Sequence, residues 1–488
     1  MLILLVCFVI YEGKNMSRVL SIWILLFCSL LCVAQAQFSP EVKEFIRVDS
    51  PVIALDHVRV IDGTGAAAKD DQTIVISGGK ITAIGNGSST KAPENANHID
   101  FTGYTALPGL VGMHDHLFYP SAGRLYHDMP FSFPRLYLAA GVTTIRTTGS
   151  VEPYTDLEIK KSIEAGKTVG PKMNATGPYL EGQGLPLIQI HALTGPDDAR
   201  RTVDYWAEEG MGSFKVYNYI TRAELKAAIE AAHRHHLKIT GHLCSIGFRE
   251  AAELGMDDLE HGLAVDTEFF PGKQPDVCPN PNQAVAATAK LEIDSEPIQT
   301  TIRDLVSRHV AVTSTLPVFE QSVASRPDEP ARVLASLSED ARKAYQANRA
   351  RVAASKDSPW PVMFQKEMQF ERAFVKAGGT LLAGLDPTGI GGIVAGFGDW
   401  RELELLVEAG FTPLEAIKIA TLNGAAFLGE QEHIGSLAAG KQADIVITKG
   451  DPSTKIQDIE NVEVVFKDGI GYDSRKLIES VNGQVGIR

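Results

Sequence analysis

Short apolar runs that each end in a histidine, lysine or aspartate recur along this chain, and they restrict its fold more than any other feature. The first, Thr105-Ala106-Leu107-Pro108-Gly109-Leu110-Val111-Gly112-Met113, leads into His114-Asp115-His116. On a strand, residues i and i+2 share a face, so His114 and His116 leave side by side while Asp115 points away. Ser213-Phe214-Lys215-Val216-Tyr217 encloses a lysine, where an ammonium is costly unless it is paired or chemically altered. Lys238-Ile239-Thr240-Gly241-His242 and Asp258-Leu259-Glu260-His261 end in histidine, and Thr380-Leu381-Leu382-Ala383-Gly384-Leu385-Asp386 ends in a carboxylate. Singly, each has an ordinary structural explanation: a core or loop histidine, a helix cap at Asp386, a snorkelling Lys215. Together, at the C-terminal ends of predicted strands, they read as one ligand set delivered to a common point.

The intervening sequence supports that geometry. Amphipathic segments at 222–236 and 400–409 alternate with the strand-like runs, the pattern of a parallel α/β sheet. Gly141-Val142-Thr143-Thr144-Ile145-Arg146 reads as the second such strand, 172–176 as the third and 310–313 as the seventh. Residues 52–104 carry β-branched runs between glycine turns, and similar runs return at 444–448 and 462–466, so both ends read as sheet. Residues 325–358 form an exposed helical excursion after the seventh strand, as a solvated cap or as a lid. The glycine-rich stretch 389–398 lets backbone approach a substrate closely. No internal repeat or low-complexity segment interrupts the pattern.

These motifs resemble the amidohydrolase superfamily, most closely its imidazolonepropionase-like and prolidase-like branch. The resemblance covers nearly everything after residue 50, including Ile61-Asp62-Gly63-Thr64-Gly65, Gly78-Gly79-Lys80-Ile81-Thr82-Ala83-Ile84-Gly85 and the closing Ile434-Gly435-Ser436-Leu437-Ala438-Ala439-Gly440-Lys441-Gln442-Ala443-Asp444-Ile445-Val446. It implies an α/β fold: a (β/α)8 TIM barrel over 105–422, with a small composite β-sandwich built from 45–104 and 423–488. It also implies two divalent metal ions, zinc by ligand chemistry. His114, His116 and Asp386 would hold one and His242 and His261 the other, with N6-carboxylated Lys215 bridging them. Metal-activated hydroxide is then the nucleophile, and Asp386 accepts its proton and passes it to the leaving amine. The run 177–182 resembles the segment through which sugar deacetylases of the superfamily supply a metal-binding glutamate, making Glu181 an alternative bridge. Lys215 is preferred because it lies within the strand pattern. Tyr217 faces the same side as Lys215 and could hydrogen-bond a developing oxyanion, although a packed core tyrosine fits the pattern nearly as well. Tyr179, His191 and Arg146 lie near strand ends as substrate-binding candidates, whereas His235 and His236 read as surface residues. Deaminases of the superfamily carry a glutamate three residues after the fifth-strand histidine; here that position is Ser245.

Composition and the N-terminus complete the expectation. The chain has 488 residues, 44% hydrophobic, enough for a large core. Its net charge of -14 argues against nucleic acid as a partner, because phosphate binding needs a basic face. Residues 1–36 read as a signal peptide, with Met16 a plausible true start. Ser17-Arg18 precedes an apolar run over 19–33, and Ala34-Gln35-Ala36 offers a cleavage site before Gln37. The apolar run is shorter than the ~20 residues of a membrane span, so a secreted or periplasmic protein with no stable membrane anchor is expected. Cleavage would leave Cys244 and Cys278, as one bridge or two free thiols. The reading is an exported metal-dependent amidohydrolase with a small-molecule amide or peptide substrate, a dipeptide or N-acyl amino acid by family analogy. The alternatives are cyclic amides or lactones at the same binuclear site and, more remotely, a non-catalytic barrel scaffold. A homo-oligomer is compatible with all three.

Overall fold

The computed structural model describes residues 38–121, 125–185 and 187–487. The expected signal peptide and its cleavage point lie outside the described residues. Among the described residues, no helix is long and apolar enough to cross a membrane.

Parallel strands in chain order carry the ligand-type residues. β1 (Leu110–Gly112), β2 (Val142–Arg146) and β3 (Lys172–Asn174) form a three-stranded sheet. β4 (Ser213–Val216), β5 (Lys238–Gly241), β6 (Asp258–Glu260), β7 (Ala311–Ser314) and β8 (Leu381–Ala383) form a five-stranded one. The fold is mixed α/β and consistent with the TIM-barrel type, yet its strand ladder is two sheets and not one closed ring. Isolated hydrogen bonds span both seams. Gly212 N donates to Ala175 O (2.8 Å) and Gly177 N to Ser213 O (2.9 Å) between β3 and β4. Met113 N donates to Ala383 O (2.8 Å) and Asp386 N to His114 O (3.0 Å) between β8 and β1. The ladder is interrupted there: β1, β3 and β8 are only three residues long, and the chain beyond β3 meets β4 again only at the isolated parallel bridges Thr176–Ser213 and Leu180–Val216.

The local causes are visible in the sequence. β4 and β7 are buried along their whole length, as expected for parallel strands covered on both faces. The helix Arg222–Arg234 starts at a capping box, in which Thr221 Oγ1 accepts from Glu224 N (3.3 Å) and Glu224 Oε2 accepts from Thr221 N (2.9 Å). It buries Leu225, Ala228, Ile229 and Ala232, one helical stripe. The segment predicted at 400–409 is the helix Phe397–Glu408. It begins earlier because Gly396, at φ +77°, turns the chain and donates its N–H to Asp399 Oδ2 (2.9 Å). The 325–358 excursion contains the helices Ala331–Ser336 and Glu339–Ala354. It is docked on its surroundings: Arg349 donates to Gln321 O (2.9 Å) and Arg326 O (2.7 Å), and Asn348 Nδ2 to Ile390 O (2.7 Å).

Both ends of the described chain enter one nine-stranded sheet. Tyr104–Pro108 and Ile445–Lys449 pair antiparallel, with Ala106 opposite Ile447. Ile445 and Ile447 face a core shared with Ile53, Leu55, Ile74 and Phe466, while Val446, one residue out of phase, packs into the main core with Val142. The alternation thus fastens the sheet to the strands that carry the site.

Cys244 and Cys278 form a disulfide, not two free thiols, with a sequence separation of 34, tying the loop after β5 to the loop after β6. Closing a loop of that length stabilises by about 3 to 4 kcal/mol in the chain-entropy view. Cys278→Ser is therefore expected to lower the urea midpoint measurably, and an unchanged midpoint would contradict that role.

Candidate metal centre

Three imidazoles point the same nitrogen inward because their other nitrogen is engaged. His114 Nδ1 donates to Glu260 Oε2 (2.7 Å) and His116 Nδ1 to Thr147 O (2.8 Å), which fixes the proton on Nδ1 and turns the Nε2 lone pair into the cavity. His261 Nδ1 lies 2.7 Å from Thr315 Oγ1. Inside, Asp386 Oδ1 is 3.4 Å from His116 Nε2 and 3.9 Å from His114 Nε2, and Asp386 Oδ2 is 3.8 Å from His261 Nε2. Lys215 Nζ stands 3.1 Å from His114 Nε2, and the His242 ring lies 4.6 Å from that of His261. The ligand atoms of His114, His116 and Asp386 all lie within 4.8 Å of one another.

The backbone brings these groups together at some cost. His261 (φ +69°) and Asp386 (φ +51°) are both left-handed, a conformation that turns the chain sharply at the end of β6 and just beyond β8. Gly384 allows β8 to pass against β1, since a Cβ there would overlap the backbone of His114. The resulting cavity has a free volume of about 40 Å³ and is lined by the six expected ligands together with Phe118, Tyr126, Tyr179, Tyr217, Val151, Leu187 and Ile190. Phe118 stacks on His116 at 4.2 Å, and the Tyr179 and Tyr217 rings are 4.8 Å apart.

Burial sets the protonation states. It lowers His114 to about 4, helped by the Lys215 charge, lowers His242 to about 3, and holds His261 well below the usual imidazole range. Lys215 falls to about 8 through burial, against the opposing pull of Glu260 and Asp386. Burial alone would raise Asp386, but His114, His116 and His261 bring its carboxyl well below the ordinary range. Glu260 is held low in the same way by His114, Lys215 and Arg146. Neutral imidazoles with inward Nε2 atoms, one carboxylate and an amine that is readily neutral form a donor set suited to zinc or a similar divalent ion. An ordinary imidazole is protonated below about pH 6.5 and stops ligating. Because His114 and His242 are shifted down, bound metal is expected to survive dialysis at pH 5 and to leave as the pH falls through about 4. Elemental analysis at pH 7, 5 and 4 checks this; loss already at pH 6 would contradict it.

Of the residues expected from sequence, His114, His116, Lys215, His242, His261, Asp386, Tyr179 and Tyr217 line this one cavity. Three others do not. Arg146 is fully buried, donating to Met113 O (3.0 Å), to Glu260 Oε1 (3.2 Å) and to Thr240 Oγ1, so no part of it faces a substrate. His191 is exposed and pairs with Asp198 (2.9 Å). Glu181 is buried away from the cavity lining, and its Oε1 accepts from Gly182 N (2.7 Å) and Tyr219 N (2.6 Å), bracing two loops. Ser245, at the deaminase position, donates to Ile220 O (2.5 Å). Glu260, Phe118, Tyr126 and Thr315 were not singled out in the sequence. Glu260 could have been, since a carboxylate inside an apolar parallel strand requires a partner. Phe118 and Tyr126 had no such signal, because they come from the hairpin strands Phe118–Ser121 and Leu125–Asp128, which lie outside the strand-helix alternation.

The structure resembles several solved enzymes. A bottromycin amidohydrolase superposes with a TM-score of 0.68 at 19% identity, covering 91% of this chain and 94% of that one. A Xaa-Pro dipeptidase with bound methionine in its active site gives 0.63 at 21% identity, covering 86% and 100%. An ochratoxinase from A. niger gives 0.61 at 20% identity, covering 87% and 96%. At these identities the likeness speaks for the fold. No curated protein matches the sequence. The sequence profile of the Amidohydrolase family matches residues 105–470. The chain belongs to the amidohydrolase family, whose members are metal-dependent, and it is a hydrolase acting on amide bonds.

Proposed function

We propose that this hydrolase is an exported, binuclear enzyme that cleaves dipeptides or N-acyl amino acids. The observation that carries the reading is the convergence of three inward Nε2 atoms, Lys215 Nζ and the Asp386 carboxylate in one buried cavity. In this reading the two parallel sheets are the wall of one (β/α)8 barrel over 105–422. The nine-stranded sheet is then the composite sandwich, formed by 45–104 and 423–488. His114, His116 and Asp386 would hold one ion, His242 and His261 a second, and carboxylated Lys215 would join them. When bound, zinc or a similar ion supplies an acidified water and polarises the scissile carbonyl.

The protein's own groups supply the rest. Asp386, whose carboxyl lies well below its ordinary range, accepts a proton from the attacking water and delivers it to the departing amine. Burial keeps the Tyr217 phenol protonated, so it is a donor for charge developing on the carbonyl oxygen. Tyr179, whose Oη is 3.3 Å from His116 Nε2, closes the cavity beside it.

A panel of N-acyl amino acids, Xaa-Pro and Xaa-Lys dipeptides, hydantoins and lactones, each with and without chelator, tests the substrate class. Chelator-sensitive turnover concentrated in the first three groups is expected. Turnover confined to hydantoins or lactones would overturn it. N-terminal sequencing of the exported form should begin at Gln37, and an intact Met1 or Met16 terminus would contradict cleavage.

A further inference from the structure

Glu260 is the one carboxylate behind a metal-type histidine among the described residues. His116 Nδ1 faces the carbonyl oxygens of Thr147 and Gly149, and His261 Nδ1 faces the Thr315 hydroxyl, all uncharged partners. Of these three imidazoles only His114 is backed by an acid, at 2.7 Å, and Lys215 Nζ stands 3.1 Å from its Nε2. The acid has no exposed surface and no spare capacity to wander. Its Oε1 accepts from Thr240 Oγ1 (2.6 Å) and Arg146 Nη1 (3.2 Å), and its Oε2 from His114. Arg146 is itself tied to Met113 O (3.0 Å), the residue that precedes His114.

These groups come from β2, β5 and β6 and meet the chain leaving β1. A buried Arg–Glu pair is seldom better for stability than apolar side chains of the same volume, so this one is better explained by what it orients. A carboxylate behind an imidazole fixes its tautomer and ring orientation and strengthens it as a ligand. We propose that Glu260, held by Arg146 and Thr240, is the positioning residue that sets His114 for metal binding next to Lys215, an inference that rests on the binuclear reading above. Neither Glu260 nor Arg146 touches substrate.

The test is chelator titration of the zinc-loaded protein, read as ions per chain, alongside thermal melting of the metal-free protein. Two variants are compared with the parent. Glu260→Asp keeps the charge beside Arg146 but draws the carboxylate back from His114, and Glu260→Gln with Arg146→Met removes both buried charges together so that neither is left unpaired. One of the two ions is expected to leave either variant at 10 to 100-fold lower chelator concentration than it leaves the parent, while the second ion stays and metal-free melting remains near the parent's. Retention of both ions at parental chelator concentration, or loss of both together with lowered melting, overturns the positioning role. A parent chain that binds no zinc at all is a different outcome, because it removes the binuclear reading itself and the inference with it.

Discussion

Asp386→Asn is expected to lower kcat for amide hydrolysis by about 10³-fold or more, within the range for losing a positioned general base, with a much smaller change in KM. Asparagine matches the carboxylate in shape and can still accept from Thr388 Oγ1, which lies 2.9 Å from Asp386 Oδ1. It cannot accept a proton from water. It also replaces the anion that faces His114, His116 and His261 with a neutral amide, so one ion should bind more weakly. Steady-state kinetics on metal-saturated protein separates the two effects. A kcat within tenfold of the parent's would remove Asp386 from proton transfer.

Lys215→Met is expected to abolish turnover and strip metal, and at the same time to make the metal-free protein more stable. The first effect follows from chemistry: a lysine near 8 is neutral in about one molecule in ten at pH 7, and only the neutral amine adds carbon dioxide to become a bridging carbamate. The second follows from burial. The folded state binds this proton less tightly than the unfolded state, so between about pH 8 and 10.5 stability rises with pH, and at pH 7 the full cost of the buried ammonium is present. Methionine removes that cost, a gain on the order of 1 to 3 kcal/mol. Thermal melting, zinc content and kcat are measured together. An inactive variant that melts lower than the parent would mark Lys215 as a structural residue, and a variant holding two ions would end its bridging role.

The candidate ligands are legible in the sequence because metal chemistry limits the residue types and strand geometry limits their spacing. His114 and His116 had to share a face, and Lys215, His242, His261 and Asp386 each ended a run too apolar to carry them without a partner. What the sequence concealed was three-dimensional pairing. Arg146 was expected near substrate from its place at the end of β2, yet its guanidinium turns inward to Glu260, a contact spanning 114 residues that no local pattern encodes. Glu181 looked like a ligand by its place after β3, but backbone N–H groups from two loops hold its Oε1 elsewhere. The division of the parallel strands into two sheets was likewise hidden, since it depends on where strands of three residues stop pairing. Of the cavity's aromatic side chains, Phe118 and Tyr126 come from a hairpin whose four-residue strands look like loop in the sequence pattern.

Anomalous scattering at the zinc edge from crystals of the zinc-loaded protein measures the central claim most directly. Two peaks are predicted, one among His114, His116 and Asp386 and one beside His242 and His261, with continuous density from Lys215 reaching both. No peak among these six side chains, or a peak coordinated instead by Glu181, would contradict it.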